Sequence, residues 1–368
     1  MAERLSEKEQ VLLELIQQNP YISQQELANA LNISRPTVAN LISGLIKKGY
    51  IMGRAYVLAG KEPIVCIGGA NVDRKFSIKE SAQMGTSNPA KSSQSVGGVA
   101  RNIGENLGRL GLDVTLITSC GKDSDWGYIE EVSSPYMNLD HVIQISSAST
   151  GSYTAVLDSS GEMIIALADM EVYDWITPQI IELHEPMLKR ASCIIADLNT
   201  PKNTLQYLNR FARTHNKPLV FIPVSSPKMK RLPEELSGVT WLITNRDETE
   251  TYFHEKIDTL DEWKIALQKW LSLGVQNVII TNGKEGALIG NSEEVIHIPA
   301  IQADKIIDVT GAGDAFSSAV IYSWLEGKKL QDIGRAGNVN AFKTLQSPYT
   351  VRIELSAQQL QQDLEELQ

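Results

Sequence analysis

The spacing of apolar positions divides the chain into two parts. Over residues 5–49, apolar side chains recur every three or four positions, which is typical of one buried face of an α-helix. From residue 64 onward, short continuous apolar runs such as 64–67 alternate with amphipathic stretches such as 260–271. Continuous runs indicate strands that are buried on both faces. The pattern therefore predicts a small helical domain followed by a mostly parallel sheet covered by helices.

Helix start and stop signals define the first part more closely. Residues 6–9 and 23–26 each form a capping box, in which a serine and a glutamate three positions later satisfy amides at a helix N-terminus. Ser34 opens a third helix, and Gly49 is placed to end it in the left-handed conformation. Residues 50–58 predict a small hairpin. Three short helices and a hairpin follow one another in a winged helix-turn-helix domain.

We therefore predict a winged helix-turn-helix domain over residues 1–60, similar to those of bacterial transcriptional regulators. Its third helix would present side chains that can contact base edges and phosphates in specific double-stranded DNA: Arg35, Thr37, Asn40 and Ser43. This domain contains six basic residues and five glutamates, so its net positive charge is small. One copy would therefore bind DNA weakly, and a dimer is expected. A module for dimer or partner contacts remains the alternative.

The glycines at 311 and 313 indicate an anion site. An apolar run ending at Ile307 precedes them and a helical pattern follows, which predicts a turn between a strand and a helix. The amides of Gly311, Ala312 and Gly313 would then point at a phosphate. Asp314 in this positive environment is expected to stay ionised and to accept a proton from a hydroxyl. An ordinary glycine turn is the alternative if this segment is taken alone.

Polar side chains near the ends of other predicted elements are candidates for holding a sugar. Asn71 and Asp73 follow the buried strand 64–67 directly, where ligands gather in open α/β sheets. Gly97 and Gly98 open a helix whose first turns carry Asn102. Carboxylate and amide groups can bond several hydroxyls, and paired glycines allow backbone amides to approach a ligand.

These motifs, in this order, resemble the ribokinase (PfkB-type) carbohydrate kinases. Residues 308–316 resemble the second signature of that family, and the Gly97-Gly98-x-x-x-Asn102 pattern resembles the first. The resemblance implies a three-layer α/β ribokinase-like fold over residues 63–368, with a β-lid to which the hairpin 152–169 contributes. It also implies a homodimer and ATP-dependent phosphorylation of a sugar-type hydroxyl, with Asp314 as the base.

Further site residues follow from the same resemblance. Asn199 would face the substrate. Asn245 and Glu248, in an Asn-x-x-Glu motif, would organise Mg²⁺ and its waters beside the phosphates, with Glu248 as the metal residue. The positions that match ATP-contacting residues of the family are Asn245, Thr281, Gly283, Gly286 and Thr310. Whether a monovalent cation such as K⁺ is also required stays open.

Three features resemble pseudouridine kinases more than other members of the family. Ser87-Asn88-Pro89 precedes Val96-Gly97-Gly98-Val99, the lid hairpin contains Gly161-Glu162-Met163, and Ala168-Asp169-Met170 ends it. In addition, Val99 stands where many ribokinases have lysine. This resemblance implies that Asn88, Tyr153 and Asp169 lie near the uracil, and that the 5′-hydroxyl is phosphorylated. Two alternatives remain: a kinase for another carbohydrate, and a transcriptional regulator that uses a kinase-shaped body as a sensor.

Composition limits the other classes of function. The chain has 368 residues and a formal net charge of -10, which disfavours nonspecific nucleic-acid binding by the whole protein. The first residues are charged and no apolar run approaches a membrane span, so neither a signal peptide nor a membrane partner is expected. Cys66, Cys120 and Cys193 lack metal-ligand spacing and are expected to be buried thiols of a cytoplasmic protein.

Overall fold

The computed structural model describes residues 5–20, 22–52, 62–302 and 306–367. The chain separates into two compact units. One comprises residues 1–63 together with 179–192, and the other comprises residues 64–178 together with 193–368. No helix within the described ranges combines the length and the apolar character needed to cross a membrane.

The N-terminal residues form three helices, α1 (Glu7–Gln18), α2 (Gln24–Ala30) and α3 (Arg35–Lys47). Both predicted capping boxes are present, and Gly49 has a φ of 78° beyond the end of α3. The apolar faces meet in a small core of Leu12, Ile16, Leu27, Ala28, Val38, Ile42, Leu45 and Ile51. The second half of the predicted hairpin falls in residues 53–61, outside the described residues.

The strands beyond residue 62 form a large sheet, a four-stranded lid and a short two-stranded sheet. They are β1 (Ile64–Ile67), β2 (Asn71–Ile78), β3 (Ala90–Gly97), β4 (Val114–Ile117), β5 (Ser119–Cys120), β6 (Ile143–Gln144), β7 (Ser152–Leu157), β8 (Met163–Asp169), β9 (Cys193–Asp197), β10 (Leu219–Ile222), β11 (Trp241–Asn245), β12 (Asn277–Thr281), β13 (Ala287–Asn291) and β14 (Val295–Ile298).

The large sheet has the order β14-β13-β12-β11-β10-β9-β1-β4. Its pairings are parallel from β4 to β12 and antiparallel for β13 and β14, which confirms the mostly parallel sheet. Strands β1, β4, β9 and β10 are buried along their whole length, as expected when helices cover both faces. Because parallel strands end at the same edge, their carboxyl ends bring distant loops together.

The helices beyond residue 62 connect these strands. They are α4 (Val99–Arg109), α5 (Ser124–Ser133), α6 (Pro178–Glu182), α7 (Glu185–Arg190), α8 (Lys202–His215), α9 (Arg246–Phe253), α10 (Leu260–Ser272), α11 (Ala312–Leu325), α12 (Leu330–Leu345) and α13 (Ala357–Glu366). Helix α11 packs against both α4 and α12. The N-termini of α4 and α11 carry the two signature motifs. The packing of these helices therefore brings the two motifs close together.

The lid is a sheet in the order β3-β2-β7-β8. The predicted hairpin of β7 and β8 is confirmed, but the sequence did not indicate β2 and β3. Asn71 and Asp73 follow β1 closely, as predicted, but they lie on the lid strand β2, which was not predicted from the sequence. Strand β3 was not predicted because its sequence, AKSSQSVG, is mostly polar. It is a strand because it pairs with β2 along its full length.

The structure of residues 306–310, just before the glycines at 311 and 313, also differs from the prediction. A strand ending at Ile307 was expected, but residues 306–310 contain no strand. Ile306 and Ile307 are about half exposed, and the Ile307 amide donates a hydrogen bond to the Leu345 carbonyl. This part of the chain is thus an irregular loop anchored on the end of α12.

Candidate active site

The buried carboxylate of Asp197, at the end of β9, ties together three loops of the site. Its oxygens accept hydrogen bonds from the amides of Gly69 and Ala100, both at 2.9 Å, and of Asn199 at 2.8 Å. A Cβ at Gly68, whose φ is 145°, would overlap this carboxylate. Asp197 therefore fixes the turn after β1, the start of α4 and the loop after β9 relative to one another.

Asp73 and Asn71 lie together on the lid strand β2. Asn71 Nδ2 donates to Asp73 Oδ1 at 2.6 Å, and a Cβ at Gly97 would clash with the same carboxylate. Tyr153 is the register partner of Asp73 on β7, so both side chains belong to one face of the lid. Burial raises the pKa of Asp73 to about 6, against the opposing hydrogen bond from Asn71.

Asp314 occupies the first turn of α11 and is joined to the other signature motif. Asn102 Nδ2 donates to Asp314 Oδ2 at 2.7 Å, although the two residues are 212 positions apart. Burial raises the pKa of Asp314 to about 7. The Asn102 hydrogen bond opposes this shift, the charges of Asp197 and Asp73 add to it, and Arg101 opposes it.

This pKa corrects the expectation that Asp314 is ionised under all ordinary conditions. With a pKa of about 7, this carboxyl group is partly protonated near neutral pH. Loss of hydration, together with two neighbouring carboxylates, outweighs the hydrogen bond from Asn102 and the charge of Arg101 in setting this pKa. A group that titrates near neutral pH is suited to taking a proton from an alcohol and releasing it afterwards.

The start of α11 offers backbone amides to an anion. Gly311 is its N-cap residue, with a φ of 83°, and the helix has no side-chain cap. A Cβ at Gly311 would overlap the Thr350 carbonyl, whereas the space beside Gly313 is open. An uncapped helix N-terminus concentrates N–H donors and partial positive charge at one point.

The loop before this helix is linked to the lid by an ion pair. Lys75 Nζ, on β2, lies 2.7 Å from Asp308 Oδ2, and Asp308 Oδ1 accepts hydrogen bonds from the Thr310 amide and hydroxyl. Burial raises the pKa of Asp308, but the hydrogen bonds from Lys75 and Thr310 outweigh it and lower the pKa to about 2. Asp308 is therefore ionised at neutral pH.

A cavity of about 390 Å³ lies beside the anion site. The residues that line it include Thr281, Gly283, Gly286, Gly313 and Asn338. Apolar side chains supply much of the remaining surface, including Ile306, Val309, Phe316, Phe342 and Leu345. A largely apolar cavity beside the N-terminus of a helix fits a flat aromatic ring joined to a chain of phosphates.

The model of the pfkB family carbohydrate kinases matches residues 61–355, most of the chain. The chain belongs to this family. It is therefore a sugar or nucleoside kinase, a phosphotransferase with an alcohol group as acceptor. A second model, of winged helix-turn-helix DNA-binding domains, matches residues 5–52.

The relatives agree with this membership. The chain is 28% identical over 333 residues to an uncharacterized sugar kinase, YeiI, of Escherichia coli, covering 90% of this chain and 91% of that protein. It is 27% identical over 297 residues to the pseudouridine kinase of Escherichia coli, covering 80% and 94%. A carbohydrate kinase structure from Agrobacterium tumefaciens is 29% identical, with a TM-score of 0.72 over 83% of this chain and 97% of that one.

The fold is also that of Arabidopsis thaliana ribokinase, solved with ribose and ATP. The two structures align with a TM-score of 0.74 at 19% identity, over 83% of this chain and 99% of that one. The ribokinase-like fold with its largely parallel sheet is thus confirmed, together with the N-terminal winged helix-turn-helix domain.

Within the kinase domain, Glu248 has a structural task as well as a place at the site. Its Oε2 accepts hydrogen bonds from the Thr244 hydroxyl at 3.0 Å and the Asn245 amide at 2.9 Å, which completes a capping box for α9. Asn245, Glu248, Thr281 and Asp314 line one small cavity of about 150 Å³. Burial raises the pKa of Glu248, so a cation nearby would favour its ionised form.

Several predicted substrate residues are not joined to Asp314 by hydrogen bonds. Asn199 packs against Gly69, where a Cβ would lie 2.6 Å from Asn199 Nδ2. Asn88 uses its amide group within its own turn, bonding the backbone of Gln83 and Thr86. Asp169 is exposed at the end of β8, where it lines a separate cavity with Glu171. Gly98 lies close to the Gly69 carbonyl, with a φ of 100°.

On the N-terminal domain, the predicted DNA-facing residues are solvent-exposed. Arg35, Thr37, Asn40 and Ser43 all lie on the outer surface of α3, while Val38 and Ile42 are buried. The Thr37 hydroxyl also lies 2.7 Å from the Ser34 hydroxyl at the start of the helix. The polar and apolar faces of α3 are thus separated as the sequence indicated.

Sequence reasoning missed three residues that organise this site: Asp197, Lys75 and Arg101. An aspartate at the carboxyl end of a buried strand is a recognisable signal for Asp197. Lys75 follows Asn71 and Asp73 at alternate positions, but this signal requires knowing that β2 is a strand. Arg101 stands next to Asn102 in a helical stretch, where a charged residue normally faces solvent.

Proposed function

We propose that the protein is an ATP-dependent kinase that phosphorylates the 5′-hydroxyl of a nucleoside, with pseudouridine as the preferred acceptor. The observation that carries the catalytic part is the position of Asp314. Its carboxylate, held by Asn102, has a pKa of about 7 and sits at the uncapped N-terminus of α11. The proposed proton acceptor and the proposed anion site thus lie within one helical turn.

In this proposal, Asp73 and Asn71 hold hydroxyl groups of the acceptor from the lid side. Asp314 takes the proton of the reacting hydroxyl as its oxygen forms a bond to the γ-phosphorus of ATP. The bond from that phosphorus to the β–γ bridging oxygen breaks, and ADP leaves. The amides of Gly311, Ala312 and Gly313 stabilise the charge on the transferred group, so positioning and electrostatics supply most of the rate.

ATP is proposed to occupy the cavity beside α11, with its phosphates toward Thr281, Gly283 and Gly286 and its adenine among the apolar side chains. Mg²⁺ would neutralise the phosphates, and Asn245 and Glu248 would hold its waters. Within the described ranges no three His, Cys, Asp or Glu residues are grouped to ligate a metal directly. That suits Mg²⁺, which keeps several waters and takes few protein ligands. A cytoplasmic location, where ATP and Mg²⁺ are available, is part of this proposal.

Pseudouridine is favoured by lid and loop features together with one relative. The segments 87–89 and 168–170 resemble those of pseudouridine kinases, Val99 replaces the lysine of many ribokinases, and one relative is named a pseudouridine kinase. Because Asn88 is engaged in its own turn, its proposed role is to shape the lid edge near the base. Tyr153, on the same lid face as Asp73, is proposed to pack against the uracil ring.

The test is a panel of nucleosides and sugars with ATP, read as ADP release. Pseudouridine should give the highest kcat/KM, ahead of uridine, adenosine, ribose and fructose. Uridine is the sharpest comparison, because it differs only in the glycosidic linkage and the base edge. A panel led by ribose or a hexose would overturn the substrate. The Asp314→Asn variant serves as the blank for contaminating kinases.

The N-terminal domain is proposed to bind a specific DNA site as a dimer, through the exposed polar face of α3. Winged helix-turn-helix proteins place such a helix in the major groove. Selection of bound sequences from a random DNA pool should enrich one motif with the wild type and weaken or abolish it with Arg35→Ala. The Lys264→Ala variant, on α10 of the kinase domain, is a matched control for removing one positive charge. If no protein enriches a motif, with or without ATP and pseudouridine, this reading is wrong.

The lid is proposed to form the dimer contact. The edge strand β8 exposes Met163, Ile164, Ile165 and Leu167, each more than 40% exposed. An apolar edge strand is a template for pairing with another chain, here a second copy. Light scattering should give the mass of a dimer for the wild type and of a monomer for Ile165→Glu. An unchanged mass in the variant would remove β8 from the interface.

A further inference from the structure

Arg101 is a charged residue enclosed in the protein next to the active site. It lies in the first turn of α4, between Ala100, whose amide binds Asp197, and Asn102, whose side chain binds Asp314. Only 2% of Arg101 is exposed. Burying a guanidinium is unfavourable unless it is well paired, so the partners of Arg101 indicate its role.

Those partners lie on two sides. On one side Arg101 forms an ion pair with Glu105, one turn along α4, and its Nε donates to the Ser133 hydroxyl at 3.0 Å. On the other side its Nη1 donates to Asn102 Oδ1 at 3.0 Å. Glu105 is shared with Arg109, whose guanidinium lies 2.8 Å from it. Arg101 is therefore fixed at one end and presents a donor to the Asn102 amide at the other.

This contact determines which way the Asn102 amide faces. With Oδ1 directed at the Arg101 donor, Nδ2 is directed at the Asp314 carboxylate, 2.7 Å away. The reversed amide would place Nδ2 against a guanidinium N–H and Oδ1 against a carboxylate. Both contacts would then be repulsive, because a donor would meet a donor and an acceptor would meet an anion. A cation on one side and an anion on the other permit a single orientation.

We propose that Arg101 is a positioning residue for phosphoryl transfer: it locks the Asn102 amide so that Asn102 holds the Asp314 carboxylate in place for the acceptor hydroxyl. The inference rests on the proposed role of Asp314 as the proton acceptor. Arg101 itself touches neither substrate nor phosphate in this account. It acts through Asn102, across the packed helices α4 and α11.

The charges around the two groups support a second effect of Arg101. Asp314 faces Asp73 from β2 and Asp197 from β9, which raise its pKa, and Arg101 from α4, which lowers it. Arg101 in turn faces Glu105 and Arg109 on its own helix and Tyr128 on α5. Loss of the Arg101 charge would leave Asp314 among carboxylates alone and make its proton harder to remove.

A purely structural ion pair would behave differently, and Arg109 provides the control. Arg109 shares Glu105, donates to the Ile353 carbonyl and stacks over the Tyr136 ring, and none of these contacts involves Asn102. Removing either arginine should lower thermal stability. Only the Arg101 change should alter catalysis.

The experiment measures kcat, KM and the pH dependence of kcat/KM for the full-length protein, with ATP and the best acceptor of the panel. Arg101→Met should lower kcat roughly 10-fold to 100-fold, as expected for a misplaced reacting group. The acidic limb of its pH profile, where kcat/KM rises with pH, should move to higher pH by on the order of one unit. Arg101→Lys, which keeps the charge, should leave the limb in place, and Arg109→Met should leave both kcat and the limb unchanged.

Two further variants keep the test decisive. The double variant Arg101→Met with Glu105→Gln removes the carboxylate of this pair but keeps an amide oxygen as acceptor for Arg109, so it should fold if the single variant does not, and it should show the same shifted limb. In an Asp314→Asn background, Arg101→Met should cause no further loss, since both act through one group. An independent further loss, or a wild-type limb in the Arg101→Met and double variants, would overturn the proposal. Full activity of Asp314→Asn alone would instead overturn the proposed function.

Discussion

Asp308 and Asp314 lie six positions apart in the same motif, and their pKa values are shifted in opposite directions. Asp308 is partly exposed, is paired with Lys75 from the lid and has a pKa of about 2. Asp314 is buried beside Asp73 and Asp197 and has a pKa of about 7. Six positions separate the two carboxylates, so the difference comes from the surrounding fold rather than from local sequence.

The difference assigns different work to the two residues. A carboxylate with a pKa of about 2 cannot exchange a proton near neutral pH, so Asp308 is suited to anchoring the loop to the lid strand. A carboxyl group with a pKa of about 7 can accept a proton and release it at the pH of the cell. The same motif thus contains a permanent anion for architecture and a titrating group for chemistry.

The largest expected effect comes from exchanging the titrating carboxylate. Asp314→Asn preserves the shape and an acceptor for Asn102 but removes the base, so kcat should fall on the order of 10²–10⁴-fold with little change in KM. Asp308→Asn, the matched variant at the other end of the loop, should lose far less. Steady-state kinetics of both variants measure the two losses. Equal losses in kcat would contradict the different roles assigned to Asp308 and Asp314.

The second effect is on stability, with opposite signs at the two positions. Asp314 binds its proton more tightly in the folded protein, so the wild type loses stability as the pH rises from about 4 to 7. Asp314→Asn removes this loss and should be more stable than the wild type above pH 7, by roughly 2–4 kcal/mol at about 1.4 kcal/mol per pKa unit. Below pH 4 this gain should vanish.

Asp308 follows the reverse rule. Its pKa is lowered in the folded protein, so its contribution is present above about pH 4 and disappears as the pH falls toward 2. Asp308→Asn should therefore be less stable than the wild type at neutral pH. Urea unfolding of both variants across this pH range measures the two differences, and a loss of stability in Asp314→Asn at pH 8 would contradict the buried, uncompensated charge.

The smallest effect concerns the link to the lid. Lys75 and Asp308 are 41% and 30% exposed, and ion pairs of this kind contribute roughly 0–1 kcal/mol. Lys75→Ala should raise the KM of the acceptor by no more than about fivefold, and Lys91→Ala, on the neighbouring lid strand, is the control. Added salt should screen the ion pair and raise the KM of the wild type toward that of Lys75→Ala. A loss of kcat as large as that of Asp314→Asn would show that Lys75 takes part in the chemistry.

Local signals in the sequence predicted much of this structure. The capping boxes before α1 and α2, the apolar runs of the parallel strands and the glycines around Ala312 each depend on residues a few positions apart. The polar strand β3 was missed because its conformation is imposed by pairing with β2. Local composition says little about a strand whose side chains are mostly exposed.

The chemistry of the site depends on contacts that no local pattern contains. Lys75 and Asp308 are 233 positions apart, and Asn102 and Asp314 are 212 apart. The sequence predicts a helix N-terminus at the glycines, and the positive end of that helix led to the expectation that Asp314 is ionised. The burial of Asp314 and the nearby charges of Asp73 and Asp197 were not visible, and these determine the pKa.

The most direct test of the central claim is the pH dependence of kcat/KM for the wild-type protein between pH 5 and 9. With Asp314 as the base, log kcat/KM should rise by one unit per pH unit at low pH and level off near pH 7. The midpoint would belong to the coupled pair of Asp314 and Asp73. The residual activity of Asp314→Asn should lack this limb. A flat wild-type profile over the whole range, or the same limb in Asp314→Asn, would contradict the assignment of Asp314 as the proton acceptor.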